Sequence, residues 1–189
     1  MSTGRVEAFS DGVMAIIITI MAFGVTPPQG ADLDALGEVL PSLLVFALSF
    51  ALIGIYWNNH HHLLGAAGRI TPAVMWANLH LLFWLSLVPI VTAWVGDYYS
   101  ESLPAAGYGL VSLAAAGAYW LLVRAIIGAD GPDSDIARAI GSDVKGNLSV
   151  VAYVAAVGLA FVSPYISYAI LVAVALMWII PDRRLHRAS

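Results

Sequence analysis

The chain has 189 residues, of which 60% are hydrophobic and 11% charged, with a formal net charge of -4 and a mean hydropathy of +0.85. A soluble domain carries roughly a quarter of its residues as Asp, Glu, Lys and Arg, so the composition excludes an ordinary soluble globule and points to an all-α polytopic membrane protein. No basic stripe suits nucleic acid, and without cysteine there is neither a disulfide framework nor a thiolate metal site.

A helix that crosses a bilayer needs about 20 predominantly apolar residues, and six segments meet that length once their polar ends are counted. The first, 4–26, contains RVEAFSDGVMAIIITIMAFGV: a polar start (Arg5, Glu7, Ser10, Asp11), then Gly12 to Val25 with Thr19 as the only polar side chain. Pro27 and Pro28 close it, because proline cannot continue a helix. Its outline resembles a secretory leader. However, Glu7 and Asp11 stand where a cationic region belongs, and no small-residue cleavage site ends the run, so it is expected to remain in the protein.

The second segment, 36–60, has the uninterrupted run Leu43 to Ile55. The third, 72–95, carries Pro89 and is expected to kink there. The fourth is 104–127. After a polar linker, 128–146, expected to hold a short helical piece, come the fifth (147–162) and sixth (165–180), separated by Ser163-Pro164. The whole of 1–189 is expected to be one six-helix domain.

Six spans with a cytoplasmic N-terminus put Arg5, Arg69, Arg124, Arg138, Lys145, Arg183, Arg184 and Arg187 on the inside, which is all 8 basic residues. The outside then holds Asp32, Asp34, Glu38, Asp97 and Glu101 and no Lys or Arg. That asymmetry is what the positive-inside rule demands, so both termini are expected in the cytoplasm. Trp57, Trp94, Tyr98, Tyr99 and Trp178 fall near the expected interfaces. Ala105 and Gly109, Ala114 and Ala118, and Ala152, Ala156 and Ala160 recur every four residues, which lets helix backbones approach closely within a chain or between chains. Packing within the chain is the favoured use.

The first helix carries the most chemistry. Ile16, Ile20 and Phe23 fall on one face, with Thr19 beside them and Gly12 extending the stripe. Such a stripe serves ordinary helix packing. If several copies met around an axis, it would instead form stacked apolar rings with one hydroxyl layer, a constriction of the kind that gates by dewetting.

The polar start of this helix has two readings. Asp11 sits where the helix dipole favours a negative charge, and Arg5 can reach lipid headgroups. Alternatively, Arg5, Ser10 and Asp11 belong to a buried network with partners among Trp57, Asn58, Asn59, His60, His61, His62, Trp76, Asn78 and His80. Successive helical residues point about 100° apart, so His60, His61 and His62 cannot all reach one ion, and no metal site is expected. His80 lies deeper in its span, where an ionisable side chain is either functional or a neutral ring bonded to a neighbouring helix. Ser86 and Ser112 are isolated and expected to bond backbone carbonyls. Without HExxH, GxSxG, a phosphate loop or a cysteine nucleophile, neither an enzyme nor a cofactor is expected.

R-x-x-x-F-S-D at the head of the first apolar helix (Arg5, Phe9, Ser10, Asp11) resembles the signature of the transmembrane protein 175 family, the potassium channels of endosomes and lysosomes and their prokaryotic relatives. The continuation GVMAIIITIMAFGV, the segment IGIYWNNHH (Ile53 to His61) and WANLHLLFWLSLVPIVTAW (Trp76 to Trp94) are similar to that family's first three helices. The resemblance implies a six-helix subunit assembling as a homotetramer, with first helices around a central pore and no TVGYG-like filter. It implies the narrowest apolar ring at Ile16 and neighbouring pore layers at Thr19, Ile20 and Phe23. Arg5, Phe9, Ser10 and Asp11, with Trp57, Asn59, His60 and His80, would hold the first helix in place.

Together these expectations describe a potassium-preferring cation channel of a prokaryotic inner membrane, passing K+ over Na+. A proton-coupled transporter using Asp11 and His80 is the first alternative, although internal repeats and a broken-helix site are not evident. A non-conducting membrane interaction protein is the second.

Overall fold

Prolines and caps divide the apolar runs into eight helices among the described residues of the computed structural model, 2–141 and 143–179, the side chains of 139 and 140 apart. They are α1 (Thr3–Phe23), α2 (Leu33–Gly65), α3 (Pro72–Ser86), α4 (Val88–Asp97), α5 (Ser102–Asp130), α6 (Asp135–Ile140), α7 (Val144–Leu159) and α8 (Pro164–Ile179).

Side-chain oxygens supply the backbone N–H groups at helix starts with acceptors. Asp32 accepts from Ala35 N at 2.9 Å, Asp143 from Gly146 N at 2.9 Å, and Ser134 from Ala137 N at 3.3 Å. Thr71 caps α3, whose first residue is Pro72, a position where the missing N–H costs nothing. The short linker helix α6 ends at Gly141, whose φ of 45° lies in the left-handed region that glycine enters freely.

Pro89 breaks the third apolar segment at Leu87, between α3 and α4, because it lacks the N–H that would bond one turn back. α2 is longer than expected at both ends. It tolerates Pro41 within it and runs on to Gly65, so His60 lies inside the helix.

Four segments have the length and apolarity to cross a bilayer: α1, α2, α3 with α4 (Pro72–Asp97, 26 residues), and α5. α7 and α8 are apolar but have 16 residues each. At about 1.5 Å per residue they reach about 24 Å, short of the roughly 30 Å hydrocarbon core. The described helices thus make a multi-pass membrane protein, and the count of six crossings belongs to the proposal below. Ile180, Arg183, Arg184 and Arg187 lie outside the described residues.

α5 is the centre of the bundle and packs on α3, α4, α7 and α8. The small residues serve this packing within one chain. A Cβ on Gly109 would stand 3.1 Å from a methyl of Val157, and Ala105, Ala106 and Ala160 form a buried cluster where α5 meets α7. Ser86 and Ser112 bond carbonyls of their own helices, those of Phe83 and Tyr108.

A buried polar layer ties three helices: Ser49 on α2 bonds Thr92 on α4 at 2.6 Å and Tyr108 on α5 at 2.9 Å. In an apolar solvent such groups must satisfy one another. At one end of the bundle the carboxylate of Asp130 accepts from Gly68 N at 2.8 Å, and the Arg69 guanidinium donates to the carbonyl of Ala129. These contacts fasten the α2–α3 turn to the end of α5. α1 packs on α2, α3 and α4 and lies at the side of this assembly.

Candidate functional site

α1 has two faces set by its helical period. Val6, Ser10, Met14, Ile17 and Met21 recur at intervals of three and four and are buried against α2, α3 and α4. The opposite stripe carries Phe9, Gly12, Ile16, Thr19, Ile20 and Phe23, all exposed on the single chain. Ile16 is 58% exposed, Ile20 51% and Phe23 90%. The Thr19 hydroxyl bonds within its own helix, to the carbonyl oxygens of Ile16 (2.9 Å) and Ala15 (3.2 Å). The hydroxyl donates its one proton to that pair of carbonyls, so both lone pairs of its oxygen remain to face whatever lies beyond the stripe.

The buried face ends in a polar chain that joins three helices. The Ser10 hydroxyl donates to the Val6 carbonyl at 2.8 Å and accepts from the Asn78 amide nitrogen at 2.9 Å. The hydroxyl has one proton, so its use on Val6 dictates that Asn78 presents nitrogen to Ser10 and oxygen to His60. The Asn78 oxygen lies 2.7 Å from His60 Nε2. Nε2 therefore carries the proton and donates, an assignment that follows from the network. His60 is fully buried. Its other nitrogen, Nδ1, and the Asp11 Oδ1 oxygen are both buried without a hydrogen-bond partner among the described residues.

Nearer the start of α1 a second contact reaches α2: Glu7 Oε1 lies 2.5 Å from His61 Nδ1, and the His61 ring stacks on Trp57 with centroids 6.3 Å apart. The two contacts clamp one end of α1 to α2 and α3, one in the interior and one at the surface.

Ser10 and His60 of the expected network are thus joined through Asn78, while Asp11, next to Ser10 in the chain, keeps a buried oxygen with no hydrogen bond among the described residues. The others lie elsewhere. Phe9 is on the exposed stripe of α1 with Ile16, because nine is one turn from twelve on that face. Arg5 is exposed, with no side-chain hydrogen bond or ion pair among the described residues.

Asn59 donates to the Ile55 carbonyl of its own helix at 2.8 Å. Trp57, half exposed, belongs to the His61 contact rather than to His60. His80 stands two residues beyond Asn78, on another face of α3, exposed, and accepts from Trp84 Nε1 at 2.9 Å on the same helix. Neither expected role, deep relay or interhelical bond, describes that placement within one chain.

Sequence reasoning gave no special place to Asn78 or to the Glu7–His61 pair, and it passed over the Ser49–Thr92–Tyr108 layer. The available signal was an amide in an apolar helix, and hydroxyls in three apolar runs, each of which needs a partner. Among the described residues no group of three or more His, Asp or Glu side chains could hold a metal ion.

Residues 5–89 match the family model described as endosomal/lysosomal potassium channel TMEM175. A potassium channel from Chryseobacterium sp. (strain P1-3) is 44% identical over 188 residues, covering 100% of this chain and 98% of that one. The crystal structure of a lysosomal potassium-selective channel TMEM175 homolog from Chamaesiphon minutus superposes with a TM-score of 0.82 at 30% identity, over 94% of this chain and 96% of that one. The endosomal/lysosomal proton channel TMEM175 of Bos taurus is 33% identical over 102 residues, 48% of this chain and 21% of that protein.

Proposed function

Because the chain belongs to the TMEM175 family, we propose that it is a potassium-preferring cation channel, in which the α1 helices of four subunits surround a pore and Ile16 forms the narrowest apolar ring. The observation that carries this reading is the stripe of α1. A helix in the side of the bundle leaves Phe9, Gly12, Ile16, Thr19, Ile20 and Phe23 uncovered, while its other face is fixed by packing and by hydrogen bonds to two neighbours. A stripe held so firmly in place suits a pore wall, since a constriction must keep its radius.

Each subunit crosses the membrane six times, with α7 and α8 as the two short crossings and both termini in the cytoplasm of a prokaryotic inner membrane. Four Ile16 side chains make a ring without charge, so an ion there finds no Coulombic trap. Thr19 adds a layer of hydroxyl and carbonyl oxygen one turn further on. Potassium holds its water less tightly than sodium and loses less in passing the ring, which makes modest potassium preference the expected outcome. Ile20 and Phe23 form the next apolar layers. Ser10, Asn78 and His60 position α1 and do not touch the ion.

Proton conduction is the second reading, favoured by the likeness to the bovine endosomal/lysosomal proton channel and by the unpartnered Asp11 oxygen. The full-length likeness to a bacterial potassium channel weighs for the first.

One experiment separates these readings. Purified protein in liposomes is tested for flux down a potassium gradient, down an equal sodium gradient, and down a proton gradient alone, with Ile16→Asn in parallel. Potassium flux above sodium flux, changed by the substitution, supports the proposal. Flux with protons alone supports the second reading. No ion flux from folded protein removes both.

A further inference from the structure

Away from α1, a cleft of about 70 Å³ opens between α2, α5, α7 and α8. Its walls include Tyr56 from α2, Tyr119 and Trp120 from α5, Asp143 capping α7 and Tyr153 within it, and Trp178 from α8. Five aromatic rings and one carboxylate around one space are not what hydrocarbon packing requires. Ring faces carry negative potential and attract cations, most strongly for indole, and the carboxylate supplies the counter-charge.

Two contacts beside the cleft show its indoles already in that use. The Arg124 guanidinium lies 5.3 Å from the Trp120 ring, and the Lys145 ammonium 5.7 Å from the Trp178 ring. The hydroxyls of Tyr56 and Tyr153 make no hydrogen bond among the described residues, although both side chains are buried, whereas that of Tyr119 donates to the Asn59 carbonyl at 3.3 Å.

We infer that this cleft binds the headgroup of a zwitterionic aminophospholipid of the phosphatidylethanolamine type, with the ammonium among the rings and Asp143 and the phosphate toward Arg124 and Lys145. Size agrees. A water needs roughly 10–15 Å³ by the same measure, so the space holds about five water-sized groups, enough for an ethanolammonium. Charge agrees as well, because the negative group lines the cleft and the positive groups flank it, the order of charge in that headgroup. Access agrees, since Trp120 is 48% exposed and Val150 on the same wall is exposed too. The site shares no side chain with the α1 stripe or the Ser10–Asn78–His60 chain, and it stands whether or not the protein conducts.

The test is native mass spectrometry of delipidated protein titrated separately with phosphatidylethanolamine, phosphatidylglycerol and free ethanolammonium, using wild type, Asp143→Asn and Trp120→Leu. Asparagine caps helices as well as aspartate, so Asp143→Asn removes the charge and keeps the start of α7. Phosphatidylethanolamine is expected to bind best. Asp143→Asn should weaken it about tenfold, the worth of one partly buried charge contact. Trp120→Leu should weaken it about three- to fivefold, and phosphatidylglycerol should be unaffected by either change. Equal binding of the two lipids, or equal losses for both in the variants, overturns the proposal. So does ethanolammonium binding as tightly as the lipid, which would make the cleft a site for soluble amines. If Asp143→Asn does not elute as folded protein, Trp120→Leu decides alone.

Discussion

The two faces of α1 obey one periodicity and opposite physics. On one, Met14 is 1% exposed and Ile17 4%, closed in by α2, α3 and α4. On the other, Ile16 and Phe23 are as apolar and stand uncovered. Hydrophobicity therefore does not distinguish a packed face from an open one in a membrane, where lipid is as apolar as leucine. What distinguishes them is the polar chain: Ser10 lies on the packed face and anchors to Asn78, whereas the Thr19 hydroxyl turns back on its own backbone. A face that must stay put is bonded to its neighbours, and the face opposite is left free of them.

Substitutions can break or sharpen this contrast. The largest loss of stability is expected for Met14→Ala, which empties a fully enclosed site and should cost about 2–5 kcal/mol in detergent unfolding. Ile16→Ala, two residues on, should leave the unfolding midpoint of the protomer nearly unchanged. Equal losses for the two would erase the distinction between the faces.

Next comes Asn78→Ala. It removes the partner of both Ser10 and His60 and leaves a buried imidazole N–H without an acceptor, at about 1–3 kcal/mol. Asn59→Ala, which disturbs one bond within a helix, is the matched control and should cost under about 1 kcal/mol.

Ile16→Asn acts on transport rather than on folding. The potassium-to-sodium flux ratio should move by about tenfold, equivalent to about 1.4 kcal/mol at the barrier. Met14→Gln, if folded, should leave that ratio alone.

The smallest effect is expected for Glu7→Gln. This removes the charge from the contact with the half-exposed His61 and leaves an oxygen acceptor in place, and exposed pairs contribute about 0–1 kcal/mol. A loss as large as that of Asn78→Ala would mean that the surface contact, and not the buried chain, holds α1.

The channel family lies in the run from Arg5 to Trp94, since the arginine, phenylalanine, serine and aspartate keep their spacing along one helix and two further runs accompany them. That spacing did not tell which of the four are neighbours of which other helices. Phe9 and Ser10 are adjacent in the chain, yet they point to opposite faces, one open and one buried. His60 and His61 diverge in the same way, the first to Asn78 and the second to Glu7. His80, the ionisable residue deepest in its run, proved to be on the outside of the single chain.

By itself the sequence determined which stretches become helices, because caps, prolines and apolar runs act over a few residues, although it left α2 short at both ends. It determined the stripe of α1 as well, because 3.6 residues per turn is a local property. Only the tertiary structure decided that Asn78 is the pivot, that Ser49, Thr92 and Tyr108 meet, and that five rings and Asp143 enclose one cleft. Each depends on the relative rotation and depth of helices far apart in the chain. In an apolar solvent those quantities are set by backbone approach and by which buried polar groups find each other, and neither is written in the order of residues along any one helix.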